Sequence, residues 1–159
     1  METTSTHPIE RIISGGQTGA DRGALDFAIA MEIPHGGWCP KGRKSLDGKI
    51  PDKYNLYETD SGGYLKRTEF NVRDSDGTVI FTLDNELEGG SLKTAQYALK
   101  HGKPFLHLHM HMTVTQAATM IAGWILAFPV ANLNVAGSRA TKAAGIEKFV
   151  AQVLHKVTT

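Results

Sequence analysis

Apolar positions along the chain fall into two alternating patterns. Short apolar or β-branched runs recur near residues 9–14, 33–39, 78–82, 105–110 and 131–136. The run at 78–82 is wholly apolar or β-branched, the kind carried by strands buried on both faces. The run at 33–39 is bent by Pro34, Gly36 and Gly37. Between the runs, apolar residues return every three or four positions, the period of a helix. Ala24, Phe27, Ala28 and Met31 mark a helix over about 20–31, and Tyr64, Leu65, Thr68 and Val72 one over about 62–73. Leu92, Ala95, Ala98 and Leu99 mark a third over about 90–101, and two more are predicted over about 113–127 and 145–157. His101-Gly102-Lys103-Pro104 stops the third helix, with glycine and then proline following its last turn. Strands alternating with helices predict a mostly parallel sheet of about five strands. Right-handed crossovers then place helices on both faces, a three-layer α/β/α arrangement. Residues 9–159 form one domain in this reading, behind a flexible N-terminus at residues 1–8.

Composition changes this picture little. At 159 residues, 41% hydrophobic and 21% charged, the chain has the size and balance of one globular domain. A net charge of +1 argues against the broad basic field of a nucleic-acid or membrane-surface protein. The single cysteine, Cys39, excludes an internal disulfide framework and fits a reducing compartment. Met1 to Pro8 lacks the basic and apolar regions of a secretory leader. The most apolar stretch, near 120–135, is interrupted by Gly123, Pro129 and Asn132, too soon for a membrane span. The expected location is the cytoplasm.

The candidate chemistry lies in the loops that follow the strands. Gly15-Gly16-Gln17-Thr18-Gly19-Ala20-Asp21 reads as a glycine-rich turn between the first strand and the first helix, with Thr18 and Asp21 of helix-capping type. Such a turn presents free N–H groups and a positive helix end to an anion. Gly89-Gly90-Ser91 opens the third helix in the same way, with hydroxyls at Ser91 and Thr94 and an acidic loop holding Asp84 before it. After the second strand comes a long loop, 40–53, with Lys41, Arg43, Lys44, Lys49 and Lys53 against Asp47 and Asp52. It reads as a basic lid over an anionic ligand or as a solvated surface loop. Gly137-Ser138-Arg139 follows the fifth strand. In a parallel sheet these four loops meet at the carboxyl ends of the strands, where strand order reverses. The site predicted there is an anion clamp made of two helix starts and guanidinium groups.

Other motifs are weaker. The first turn is neither a G-x-G-x-x-G fingerprint nor a P-loop, which removes the usual grounds for NAD binding or ATP hydrolysis. His107, His109 and His111 alternate on one strand face. Side chains two residues apart lie about 6.5–7 Å from one another, too far for all three to converge on zinc. They read instead as core or subunit-interface residues, with His111 near the ligand end. Cys39 has no base beside it in sequence and reads as a small buried side chain.

Ser14–Arg22, Gly37–Arg43, Asp47–Pro51, Arg67-Thr68, Asn71–Thr78, Gly89-Gly90 and Leu133–Gly137 together resemble the molybdenum cofactor carrier proteins. That family is a Rossmann-like group related to the LOG phosphoribohydrolases and to bacterial YpsA proteins. The resemblance implies a homotetramer that reversibly binds molybdenum cofactor, a pterin dithiolene with a terminal phosphate and a molybdate group. The protein would store and protect the cofactor and hand it to molybdenum-enzyme acceptors without turnover. The residues expected to hold it are Gly15, Gly16, Gln17, Thr18, Gly19, Ala20, Asp21, Lys41, Arg43, Asp84, Gly89, Gly90, Ser91, Thr94, Ser138 and Arg139, with no catalytic residue and no metal ligand. Ser138 stands where the family carries a proline. LOG enzymes carry Pro-Gly-Gly-x-Gly-Thr-x-x-Glu, and the chain departs from it with Leu92 at the third glycine and Gln96 at the glutamate. The alternatives are a nucleotide sensor or a nucleoside monophosphate phosphoribohydrolase drawing a carboxylate from Asp84, Glu86 or Glu88.

Overall fold

The computed structural model describes residues 7–159; the first six residues of the expected flexible N-terminus lie outside the described residues. Five parallel strands form the main sheet: β1 (Arg11–Ile13), β2 (His35–Gly36), β7 (Gly77–Thr82), β8 (Phe105–His109) and β9 (Asn132–Gly137). Their spatial order is β2-β1-β9-β7-β8. The last strand in the chain is thus the central strand of the sheet. Its core side chains Leu133 and Val135 are wholly buried.

Five helices cover the sheet: α1 (Ala20–Ala30), α2 (Tyr64–Arg73), α3 (Gly89–Lys100), α4 (Val114–Ala127) and α5 (Ile146–Thr158). Side chains alternate between the two faces of each strand. Ile12, Val79, Phe81, Leu108, Leu133 and Val135 pack in one cluster with α1, α4 and α5. The other face, with Thr78, Ile80 and Thr82, lies under α3, which packs in turn against α2. Phe81 meets Phe149 of α5 edge to face, with centroids 6.1 Å apart. Helix α4 starts with a complete capping box, Thr113 accepting from the Gln116 N–H while the Gln116 side chain accepts from the Thr113 N–H.

Three expectations are corrected. The run expected as one strand over 33–39 is two, because β2 joins the main sheet and β3 (Trp38–Cys39) pairs with β6 (Tyr57–Glu58) in a separate parallel pair. The loop at 40–53 contains a hairpin, β4 (Lys44–Ser45) against β5 (Gly48–Lys49), turned by Leu46-Asp47. Arg22 of α1 holds that hairpin, donating to both Asp47 carboxylate oxygens at 2.5 and 2.8 Å and to Ser45 Oγ at 3.0 Å. Finally, neither Thr18 nor Asp21 is the N-cap of α1. The cap is Gly19, whose N–H donates to the Glu147 carboxylate of α5 at 3.0 Å.

Candidate functional site

Strand order reverses at β9: the chain leaves β1 toward β2 on one side and β7 toward β8 on the other. A crevice at the carboxyl ends of the strands is the consequence of that reversal. A cavity of about 680 Å³ lies there, within the range that holds a cofactor-sized ligand. It is lined by Gly15 and Asp21 from the first turn, by Tyr64, Arg67, Thr68 and Asn71 from α2, and by Thr82, Asp84, Glu86 and Glu88 from the β7–α3 connection. Gly90, Ser91 and Thr94 of α3, Asn134 to Arg139 of β9 and its loop, and Lys142 complete it.

The two glycine turns differ. At α1 part of the backbone donors is taken: the Gln17 N–H donates to Asp21, the Gly19 N–H to Glu147 and the Ala20 N–H to the Ser138 carbonyl, while among the described residues none accepts from the N–H of Gly15, Gly16 or Thr18. Gly19 has φ +91°, and a Cβ there would lie 2.3 Å from the Ser138 oxygen. Its role is to let the β9 loop press against the helix start. The first turn is therefore partly committed to the protein, through Gln17, Gly19 and Ala20. At α3 the N-cap Glu88 makes no side-chain cap, and among the described residues none accepts from the N–H of Gly89 or Gly90. Nothing stands within 4 Å of a Cβ placed on Gly90, and only Lys142 Nζ, at 3.9 Å, approaches one placed on Gly89. That helix start is open, faces the cavity through Gly90 and Ser91, and has a lysine beside it.

Of the residues expected at the site, Gly15, Asp21, Asp84, Gly90, Ser91, Thr94, Ser138 and Arg139 line the cavity. Gly89 sits at its edge, in the cap of α3. Gly16 packs against Leu56 and Ile50, and Gln17 donates to the Lys44 carbonyl and so joins the turn to the hairpin. Thr18, Gly19 and Ala20 lie behind the turn rather than on the cavity wall. Two of the loop's expected residues do not line the cavity: Lys41 is exposed, and Arg43 donates to the carbonyls of Ile50, Pro51 and Tyr54 in its own loop, while Lys44 Nζ stands 5.8 Å from the ring centre of the lining residue Tyr64. The Arg43 guanidinium thus fastens the loop to itself.

The sequence reading missed Arg67, Tyr64, Asn71, Asn134 and Lys142. Tyr64, Arg67, Thr68 and Asn71 stand at i, i+3, i+4 and i+7, one face of α2, and this polar stripe was the available signal. Arg67 Nη1 donates to Asp21 Oδ2 at 3.1 Å, both side chains being close to buried, at 13% and 5% exposure. Burial pushes the Asp21 carboxyl up and the Arg67 guanidinium down, and their mutual attraction opposes both shifts. Asn71 closes two hydrogen bonds on the Trp38 backbone, at 2.7 and 3.0 Å. The Arg139 guanidinium lies 4.4 Å from the Tyr64 ring centre.

The histidines form a ladder, with ring centres 6.3 and 5.8 Å apart. His107 shares a 2.5 Å contact with Thr82, and burial, with His109 adding to it, lowers its pKa. His111 pairs with Asp84 at 2.8 Å on the cavity rim. Among the described residues no group of three histidine, cysteine or acidic side chains is placed to hold a metal ion. Cys39 is wholly buried, which pushes its thiol pKa up. Among the described residues no helix is long and apolar enough to cross a membrane.

Comparison with known proteins agrees with this geometry. No curated protein matches the chain. A crystal structure at 1.45 Å resolution, that of "Putative molybdenum carrier protein" from Syntrophus aciditrophicus SB, is 45% identical, covers 96% of this chain and 97% of its own, and superposes with a TM-score of 0.93. The family model of the circularly permutated YpsA SLOG family matches residues 12–158. A permutation accounts for the sheet order: started at β9, the strands would read 3-2-1-4-5, the arrangement of an open dinucleotide-type sheet. The chain belongs to the circularly permutated YpsA SLOG family.

Proposed function

We propose that this protein is a carrier of molybdenum cofactor, which it binds, shields from oxidation and hands to molybdenum-enzyme acceptors without chemical turnover. The observation that carries the reading is the open start of α3, which faces the cavity with Lys142 beside it and Arg67 and Arg139 on the same walls. A helix start with uncommitted N–H groups and a nearby ammonium suits a terminal phosphate. The acidic wall, Asp84, Glu86 and Glu88, offers acceptors to the N–H donors of a pterin ring. A cargo with anionic ends and a donor-rich ring matches both walls, and a purely cationic clamp would match only the ends. The name of the Syntrophus protein points to the same class of cargo. The homotetramer and a cytoplasmic location belong to this reading, as does one domain over residues 9–159. Leu99, Leu126 and Phe128 expose apolar surface at 72%, 65% and 54%, available for contact between copies.

One observation favours a second reading. Glu86 and Glu88 line the cavity next to the α3 start, where a nucleoside monophosphate would place its sugar, so a carboxylate for N-glycosidic cleavage is at hand. One experiment separates the two. The protein is incubated with molybdenum cofactor and its transfer to a cofactor-free molybdenum enzyme is followed over time. In parallel it is incubated with AMP and GMP and assayed for released base. The carrier reading predicts slower loss of transferable cofactor and no free base. Base release, or cofactor loss at the rate seen without protein, would contradict it. In the same assay Lys142→Glu is expected to abolish the protection while leaving the fold intact, because Lys142 is exposed.

A further inference from the structure

The cavity holds a second cationic centre that the α3 helix start does not account for. Arg67 packs flat against the end of β1, where a Cβ on Gly15 would fall 2.1 Å from Arg67 Nη1. The absent side chain at Gly15 thus makes room for a guanidinium and not for a ligand. Arg67 spends one nitrogen on Asp21, and its Nε is buried without a partner among the described residues. Arg139 lines the same wall, and both guanidiniums lie near the Tyr64 ring, at 6.0 and 4.4 Å from its centre. Two permanent cations therefore act on one buried carboxylate at this end of the cavity, the acidic side chains Asp84, Glu86 and Glu88 being carried by the β7–α3 connection. Arg139 adds to burial in destabilising the charged form of Arg67. An anion arriving between them relieves that repulsion.

We propose that Arg67 and Arg139 form a seat for a tetrahedral oxyanion at the carboxyl ends of β1 and β9, with Asp21 and Gly15 as the positioning residues that hold Arg67 in it. This reassigns Asp21, because a carboxylate 5% exposed and bonded to Arg67 and to the Gln17 N–H aligns the guanidinium and does not touch the ligand. The seat is distinct from the α3 start. Strands β1 and β7 are separated by β9, so their ends lie two strand spacings apart, about 10 Å. A ligand that fills both places carries an oxyanion at each of two ends. The proposal rests on the cavity being the ligand site, but it does not require the cargo to be molybdenum cofactor.

The test is calorimetric titration of the full chain with inorganic molybdate, phosphate and sulfate in turn. The expected result is two anions per chain, with the preferred anion identifying the oxyanion each place takes. Arg139→Gln, which leaves the Arg67–Asp21 pair intact, should weaken one of the two by about tenfold or more, the effect of losing a charge-assisted contact. The neutral pair Asp21→Asn with Arg67→Gln should remove the same anion and leave the other, so no buried charge is left unpaired to disturb folding. Lys142→Glu should remove the other anion instead. Wild-type stoichiometry and affinity in both Arg139→Gln and the double variant would overturn the seat. So would a single anion per chain that only Lys142→Glu removes. Loss of the seat with cofactor transfer unaffected leaves the carrier reading standing. An intact seat with no cofactor binding leaves the seat and ends the carrier reading.

Discussion

Two residues show how tightly the elements around the site are fastened. Gly19 holds φ +91° with the Ser138 carbonyl and the Ala140 N–H against the space a Cβ would take. Gly19→Ala is expected to cost at least about 1–3 kcal/mol from backbone strain alone, read as a lower urea midpoint. Asp47 is the second. Hydrogen bonds from Arg22 and Ser45 hold its carboxyl well below the ordinary aspartate value of 3.8. A carboxyl with a depressed folded-state pKa stabilises the fold above that ordinary value and loses the contribution as pH falls through its own. The Arg22 tether of the β4–β5 hairpin should therefore persist at neutral pH and weaken only in acid below about 4. Amide exchange of Gly48 and Lys49 measured at pH 6 and pH 3 checks this, and equal protection at both would contradict it. Single residues were also where the sequence misled. Arg43 and Arg139 read alike as guanidiniums near strand ends, yet one is spent on its own loop carbonyls and the other faces the cavity. Nothing in a linear pattern distinguishes them, because the partners of Arg43 are backbone atoms whose position depends on the loop path.

The long elements were legible because they repeat a period. Helix α5 buries Ile146, Phe149, Val150, Val153, Leu154 and Val157, and β7 is buried throughout, so each showed its type in composition alone. The two-residue strands β2 to β6 carry no period, and the hairpin had only Asp47-Gly48 as a turn signal. Helix α2 was legible from its period, but the residue that anchors it was not. Its fully buried residues are Asn71 and Val72, both in its last turns, while the start, Tyr64 to Thr68, overhangs the cavity. Asn71 is consequently the anchor of the element. Asn71→Ala removes both bonds to Trp38 and strands a buried donor and acceptor, at a cost of about 1–3 kcal/mol. Thermal unfolding measures the loss, and amide exchange across residues 64–70 should rise with it.

At the scale of the molecule, the sheet order is the feature that local pattern does not contain. Alternating strands and helices imply a parallel sheet, but only long-range pairing puts β9 between β1 and β7. That placement creates the crevice, and it follows from a permuted chain. If the order is a permutation of an open sheet, the end of α5 and the start of β1 lie where a crossover would join them. A chain joined there and reopened at the exposed Phe128-Pro129 should fold with a midpoint within about 5 °C of the original. Failure to fold would mean that the connection from α4 to β9 carries stability of its own. The wall chemistry follows from the same order, because β1, β9 and β7 end side by side and bring Gly15, Arg139 and Asp84 into one cavity. The most direct measurement is anomalous diffraction at the molybdenum edge from crystals of the cofactor-loaded protein. The account predicts one molybdenum peak per chain inside the cavity between α2 and α3, within contact distance of Arg67 and Arg139 or of the α3 start. A fully occupied peak elsewhere on the chain, with this cavity empty, would contradict it.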